Sequence, residues 1–167
     1  KKKKKTVLGN PTESAILGSI GMEQTAAIRN EYNIINRIPF SSAWKYMVTH
    51  AKSNQTGEEI MVIKGAPEVI SRIIGRNDYL AEVATQQERG RRAISAAIIA
   101  STDFDKIKKE LEQGYALKDC TYIGTWFIED PVRSDVPEAI EKCYTAGIDV
   151  VMMTGDNIKT GSEIARQ

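Results

Sequence analysis

Charge of one sign is what this 167-residue sequence lacks first: 23 Lys and Arg stand against 22 Asp and Glu, for a formal net charge of +1. Such a balance leaves no electrostatic footprint for nucleic acid, and the aromatics are not interleaved with basic residues as a single-strand binder requires. Cysteine is scarce too. Cys120 and Cys143 are far apart and form no CxxC, too few for a metal site or a disulfide framework. They read as small buried hydrophobes in a reducing compartment. The longest apolar runs, 93–100 and 148–153, are too short to span a bilayer. The lysines at 1–5 are not followed by the apolar stretch of a signal peptide, and read as a solvated tail or a product of how the chain was made, with an anionic-surface role as the alternative. Neither GxxxxGK[ST] nor GxGxxG occurs, so no glycine-rich loop is available to cradle phosphates. These absences point to a soluble intracellular piece, long enough for one core or for one domain and part of another.

What is present centres on Met61-Val62-Ile63-Lys64-Gly65-Ala66-Pro67-Glu68. The first four residues suit a strand. Gly65 lets the backbone come close to something, and Pro67 fits the first position of a helix. Val69, Ile70, Ile73 and Ile74 then recur at helical spacing up to Gly75, a natural stop. A lysine at a strand end, before a glycine and a helix start, is well placed to meet an anion or a nucleotide. An ordinary β-turn-α junction with a solvated lysine is the alternative.

Upstream, Asn10-Pro11-Thr12-Glu13 forms a compact helix start, with Asn10 as cap and Glu13 where a capping box wants a carboxylate. Ala15, Ile16 and Ile20 continue one face to Gly21, and a second short helix is expected around Ala26, Ala27 and Ile28. Residues 34–38 read as a strand closed by Pro39. Trp44, Tyr46 and Val48 alternate in a second strand, and a polar turn at 53–57 returns the chain to a hairpin partner at 59–64. His50, without a second histidine, reads as solvated. Further on come a helix at Tyr79, Leu80 and Val83 broken near Gly90, a two-sided apolar strand over 92–100, and a helix with Lys106, Lys108 and Lys109 turned outward. From Tyr122 the pattern is strand (122–128), helix and apolar strand (148–153), running into Thr154-Gly155-Asp156-Asn157. The helix is expected to start with an Asp135–Glu138 capping box and to bury Val136, Ala139, Ile140 and Cys143. This is a βαβ unit with a polar loop at the carboxyl end of its second strand. Two architectures meet at about residue 120. The fold class is therefore α/β: an antiparallel sheet flanked by helices, followed by a partial Rossmann-like βαβ segment.

Five motifs, in order, resemble the P-type cation-transporting ATPases. They are Asn10-Pro11-Thr12-Glu13; Phe40-Ser41-Ser42 with Lys45 and Met47; Lys64-Gly65-Ala66-Pro67-Glu68; Asp130-Pro131-Val132-Arg133; and Thr154-Gly155-Asp156-Asn157. The resemblance implies a nucleotide-binding domain over residues 6–119 and part of the phosphorylation domain over residues 120–167. It implies that Phe40 stacks on adenine, that Glu13 lies at the adenine edge, and that Lys64 and Gly65 line the deep end of the pocket. Lys45 would approach the phosphates, as would Arg92, whose segment is similar to the family's Arg-x-Leu-Ala pattern; its neighbour Arg91 competes for that role. Asp130, Arg133, Thr154, Gly155 and Asp156 would belong to the catalytic face. ATP with Mg2+ would be bound, on the cytoplasmic face of an integral membrane protein. The partners would be the rest of the pump: phosphorylation, actuator and membrane domains. Asp156-Asn157 leans toward the calcium-pump-like branch.

The chemistry of these residue types agrees. A phenylalanine offers adenine a stacking face worth about 1–3 kcal/mol, and phosphates want cations. The Asp-Lys-Thr-Gly-Thr stretch carrying the family's phosphorylated aspartate does not occur in the sequence, nor does the Gly-Asp-Gly-x-Asn-Asp loop that helps hold magnesium. The chain is expected to bind nucleotide without forming the aspartyl phosphate. Two other readings stand beside this one: a haloacid-dehalogenase-like phosphatase fragment with a large cap, and a non-catalytic interaction domain. Neither predicts an adenine site in residues 6–119.

Overall fold

The computed structural model describes residues 10–129, 132–154 and 158–166. Its centre is a five-stranded antiparallel sheet in which sequence neighbours are spatial neighbours, in the order β1 (Tyr32–Ile38), β2 (Tyr46–Ser53), β3 (Glu59–Gly65), β4 (Arg92–Ile99) and β5 (Cys120–Ile128). Seven helices complete the described residues: α1 (Pro11–Ile20), α2 (Met22–Glu31), α3 (Pro67–Ile74), α4 (Leu80–Glu88), α5 (Phe104–Glu112), α6 (Val136–Thr145) and α7 (Ile158–Arg166).

Alternation along β2, β3 and β4 sends Val48, Met61, Ile63, Ala97 and Ile99 to one face. There they form the core with Val69, Ile70 and Ile73 of α3 and Ile107 and Leu111 of α5. Pro67 opens α3, whose apolar stripe faces the sheet, and Gly75 closes it at φ 66°, its N–H donating to the Ser71 carbonyl. His50 is in phase with Val48 and is buried, not solvated. Its ring stacks on Phe104 with centroids 6.0 Å apart, and Nε2 lies 3.1 Å from Glu59 Oε2.

The C-terminal part departs from the expected βαβ unit. The strand expected over 122–128 is β5, hydrogen-bonded antiparallel to β4 from Cys120 to Ile128, so the sheet continues past residue 120. Residues 148–153 are not a strand: no ladder pairs them, and Val151 and Met153 are 80% and 93% exposed. An apolar run becomes a strand only when a neighbour takes its N–H and C=O groups, and the described residues supply none. The capping box at α6 does not form. Asp135 makes no side-chain cap bond and lies 3.5 Å from Arg133, while Glu138 accepts from Lys142 at 2.6 Å. The α6 stripe is half-buried only at Val136, Ile140 and Cys143. Both cysteines are free and partly exposed, and burial pushes the Cys120 thiol up.

Candidate nucleotide-binding site

The second face of the sheet carries Met47, Lys64 and Ala96 in one register row, with Ile94 two residues from Ala96 on β4. The N-terminus of α1 crosses this face, and the β1–β2 connection (39–45) closes one side. Between them is a cavity of about 410 Å³ lined by Asn10, Thr12, Glu13, Phe40, Ser42, Lys45, Met47, Lys64, Gly65, Ala66, Ala93 and Ile94. Its volume is that of a small-molecule pocket, and its walls are mainly apolar with a few polar groups.

Asn10 caps α1 by accepting from the Thr12 N–H at 2.9 Å. Glu13 is not engaged in a capping box. Its carboxylate crosses the cavity to Lys64 Nζ at 3.0 Å, with 55% of the glutamate and 32% of the lysine side chain exposed. Phe40 is 61% exposed, so it is not core. Lys45, the residue before β2, is in a left-handed conformation, φ 58°, with its N–H donating to the Ser41 carbonyl at 2.7 Å. A non-glycine residue held there is conformationally costly and is found disproportionately at functional sites.

Gly65 has a structural reason to lack a side chain. It pairs with Tyr46, and an added Cβ would fall against the Lys45 carbonyl oxygen and within 2.8 Å and 2.9 Å of Tyr46 Cα and Cβ. What Gly65 approaches is the backbone that presents Lys45, and the following Ala66 N–H donates to that same carbonyl at 3.0 Å.

The structure thus gathers Glu13, Phe40, Lys45, Lys64 and Gly65 around one cavity. Arg92 does not line it; it is exposed at the start of β4, beside the lining residues Ala93 and Ile94. Arg91 is engaged elsewhere, donating to Glu129 at 3.0 Å and to Gln86 at 2.5 Å. Arg133 and Thr154 are exposed and do not line the cavity, whereas Asp130, Gly155 and Asp156 lie outside the described residues. Thr12, Ser42, Met47 and Ile94 line the cavity without having been assigned a role from the sequence. For Met47 and Ile94 the signal was there: both follow from strand alternation once Lys64 is placed.

No group of three or more His, Cys, Asp or Glu among the described residues could hold a metal ion. The cavity's carboxylate, Glu13, is already paired with Lys64. Among the described residues, the cavity's donor set therefore does not fit a resident Mg2+.

Residues 1–76 match the family model of the P-type ATPase cytoplasmic domain N. The chain carries a P-type ATPase cytoplasmic N domain. The match ends just after α3, so it takes in the first three strands and nearly all of the cavity lining. Similarity to individual relatives runs further along the chain. It is 35% identical to plasma membrane calcium-transporting ATPase 4 of Homo sapiens over 178 residues, 95% of this chain and 14% of that protein. It is 31% identical to the calcium-transporting ATPase of Bacillus subtilis (strain 168), and 30% identical to the sodium/potassium-transporting ATPase subunit alpha-A of Artemia franciscana. Those alignments cover 95% and 98% of this chain and 19% of each relative, so the chain spans about a fifth of the length of these curated relatives. Among the described residues no helix is long and apolar enough to cross a membrane.

Proposed function

We propose that this chain is the ATP-binding part of a P-type cation-transporting ATPase, on the cytoplasmic face of a membrane protein that couples ATP hydrolysis to ion movement. The observation that carries the reading is the single cavity on which Glu13, Phe40, Lys45, Lys64 and Gly65 converge. In it adenine stacks on Phe40, with its exocyclic amine toward Glu13, and Lys45 meets the phosphates. Arg92, next to the lining residue Ala93, reaches the phosphate chain from the rim. Mg2+ arrives on those phosphates. Residues downstream of the sheet, with Asp130, Arg133, Thr154, Gly155 and Asp156, belong to the phosphorylation domain. With β5 hydrogen-bonded into the sheet, the join to that domain is best drawn after Ile128 and not at residue 120. Remaining domains of the pump are the partners, and the aspartate to be phosphorylated is supplied outside this sequence, so the chain alone turns over no ATP.

Relatives named for sodium/potassium and for calcium transport are similar at comparable identity. The Asp156-Asn157 pair leans the reading toward calcium as the transported ion. A nucleotide titration followed by chemical shifts or calorimetry tests the central reading. Saturable ATP binding in the high-micromolar to millimolar range is expected; no saturable response at several millimolar ATP overturns it.

A further inference from the structure

We propose that Trp44 is a positioning residue that aims the Phe40 ring at a purine base. The inference rests on the nucleotide reading of the cavity and goes beyond it, because Trp44 does not line that cavity. Phe40 stands in an irregular connection between β1 and β2, with 61% of its surface exposed, so no core packing fixes its direction. The fixing comes from the turn. The indole Nε1–H of Trp44 donates to the Pro39 carbonyl at 3.3 Å. That carbonyl belongs to the same planar peptide as the Phe40 nitrogen. Holding it restricts Pro39 ψ and fixes the peptide plane up to the Phe40 Cα, the base from which the Phe40 side chain departs.

The indole is itself anchored. Its ring lies 6.3 Å from that of Tyr46, tilted by 42°, and Tyr46 is buried in the core cluster. Within the turn, the Ala43 N–H donates to Ser41 Oγ at 3.1 Å and the Lys45 N–H to the Ser41 carbonyl at 2.7 Å. A path of contacts therefore runs from the core through Tyr46 and Trp44 to the peptide that carries Phe40. A platform already aimed loses less freedom when a base stacks on it, and this preorganisation appears as affinity.

Trp44→Phe keeps a ring against Tyr46 and deletes the N–H. With one modest hydrogen bond at stake, the ATP dissociation constant should rise about 2- to 10-fold. If Trp44 acts through Phe40, the effect should vanish where the platform is gone: Phe40→Leu with Trp44→Phe should bind ATP no more weakly than Phe40→Leu alone. A general loosening of the fold would instead add in the double variant. Titrations by NMR, in which millimolar affinities are readable, give all four constants. In the wild type, the Trp44 indole N–H resonance, assigned through Trp126→Phe, should exchange with solvent more slowly than a free indole. Equal affinity of Trp44→Phe and wild type, an additive loss in the double variant, or unprotected exchange of that indole overturns the proposal. A wild type that gives no saturable response to ATP removes the cavity reading first, and this inference with it.

Discussion

Gly65→Ala should destabilise the protein even though alanine is the milder residue for a strand. Gly65 is not at positive φ, so backbone strain is not the reason. The reason is contact. A Cβ would come against the Lys45 carbonyl oxygen, Tyr46 Cα and Tyr46 Cβ, atoms of the paired strand's first residues that cannot rotate away as the end of a long side chain does. Relief requires the β2–β3 ladder to open at Tyr46↔Gly65, which also strains the Ala66 N–H to Lys45 carbonyl bond of 3.0 Å. Forced insertion of a methyl group into a packed site costs about 1–3 kcal/mol. For a chain of this size that lowers the melting temperature by roughly 2–12 °C. Gly18 provides the control. It lies inside α1 with nothing within 4 Å of an added Cβ and no positive φ. Gly18→Ala should stabilise by about 0.4–1 kcal/mol through the unfolded chain. Urea unfolding of the two variants should therefore move in opposite directions. A Gly65→Ala midpoint equal to or above wild type would refute the close-approach argument.

Phe40→Ala should weaken ATP binding about 5- to 100-fold, from the stacking contribution, while Asp156→Ala leaves it nearly unchanged; equal losses in the two titrations would move the nucleotide toward Asp156 and favour the phosphatase-like reading. Incubation with radiolabelled ATP and Mg2+ followed by acid precipitation should give no label on the chain, and stoichiometric label would contradict the proposal. Lys52, by its hydrogen bond, and then His50 hold the Glu59 carboxyl below its ordinary value despite an opposing desolvation. A carboxyl depressed on folding contributes stability above its unfolded value and loses it as pH falls through the folded one. The gap in urea midpoint between wild type and Glu59→Gln should accordingly narrow as pH drops below the usual carboxylate range, and a gap that widens there would reverse the sign of the argument.

The β2–β3 hairpin was legible in the sequence because alternation and the polar 53–57 turn specify each other, and α3 because Pro67, its apolar stripe and Gly75 agree. Helix α1 was legible from Asn10-Pro11, but not the destination of Glu13. A carboxylate three residues past a cap looks local, and its partner Lys64 is 51 residues away. Residues 148–153 show the opposite failure. Their apolar run suits a strand, yet strand formation depends on a neighbour, which is a property of the assembled sheet and not of the segment. For β5, alternation is equally compatible with parallel and antiparallel pairing, so the sequence could not say that 120–128 joins β4 in place of opening a new sheet. His50 was within reach. It shares parity with Tyr46 and Val48, which puts it on the buried face of β2.

The Glu13–Lys64 pair also bears on how the proposed site divides its work. Paired at 3.0 Å, the two side chains present almost no net charge to the cavity while keeping spare donor and acceptor positions. An uncharged base with both donors and acceptors on its edge fits such a pair; a phosphate does not, because it would have to detach Lys64 from Glu13 first. Lys45 is different. It is exposed at the turn, and the described residues give it no carboxylate partner. Phosphate charge would therefore be drawn toward Lys45 and the β4 rim, with the base directed to Lys64 and the Phe40 face. The orientation of a nucleotide in the cavity thus follows from which of the two lysines is already neutralised, since Lys45 and Lys64 both line it and only the second is bound to a carboxylate among the described residues.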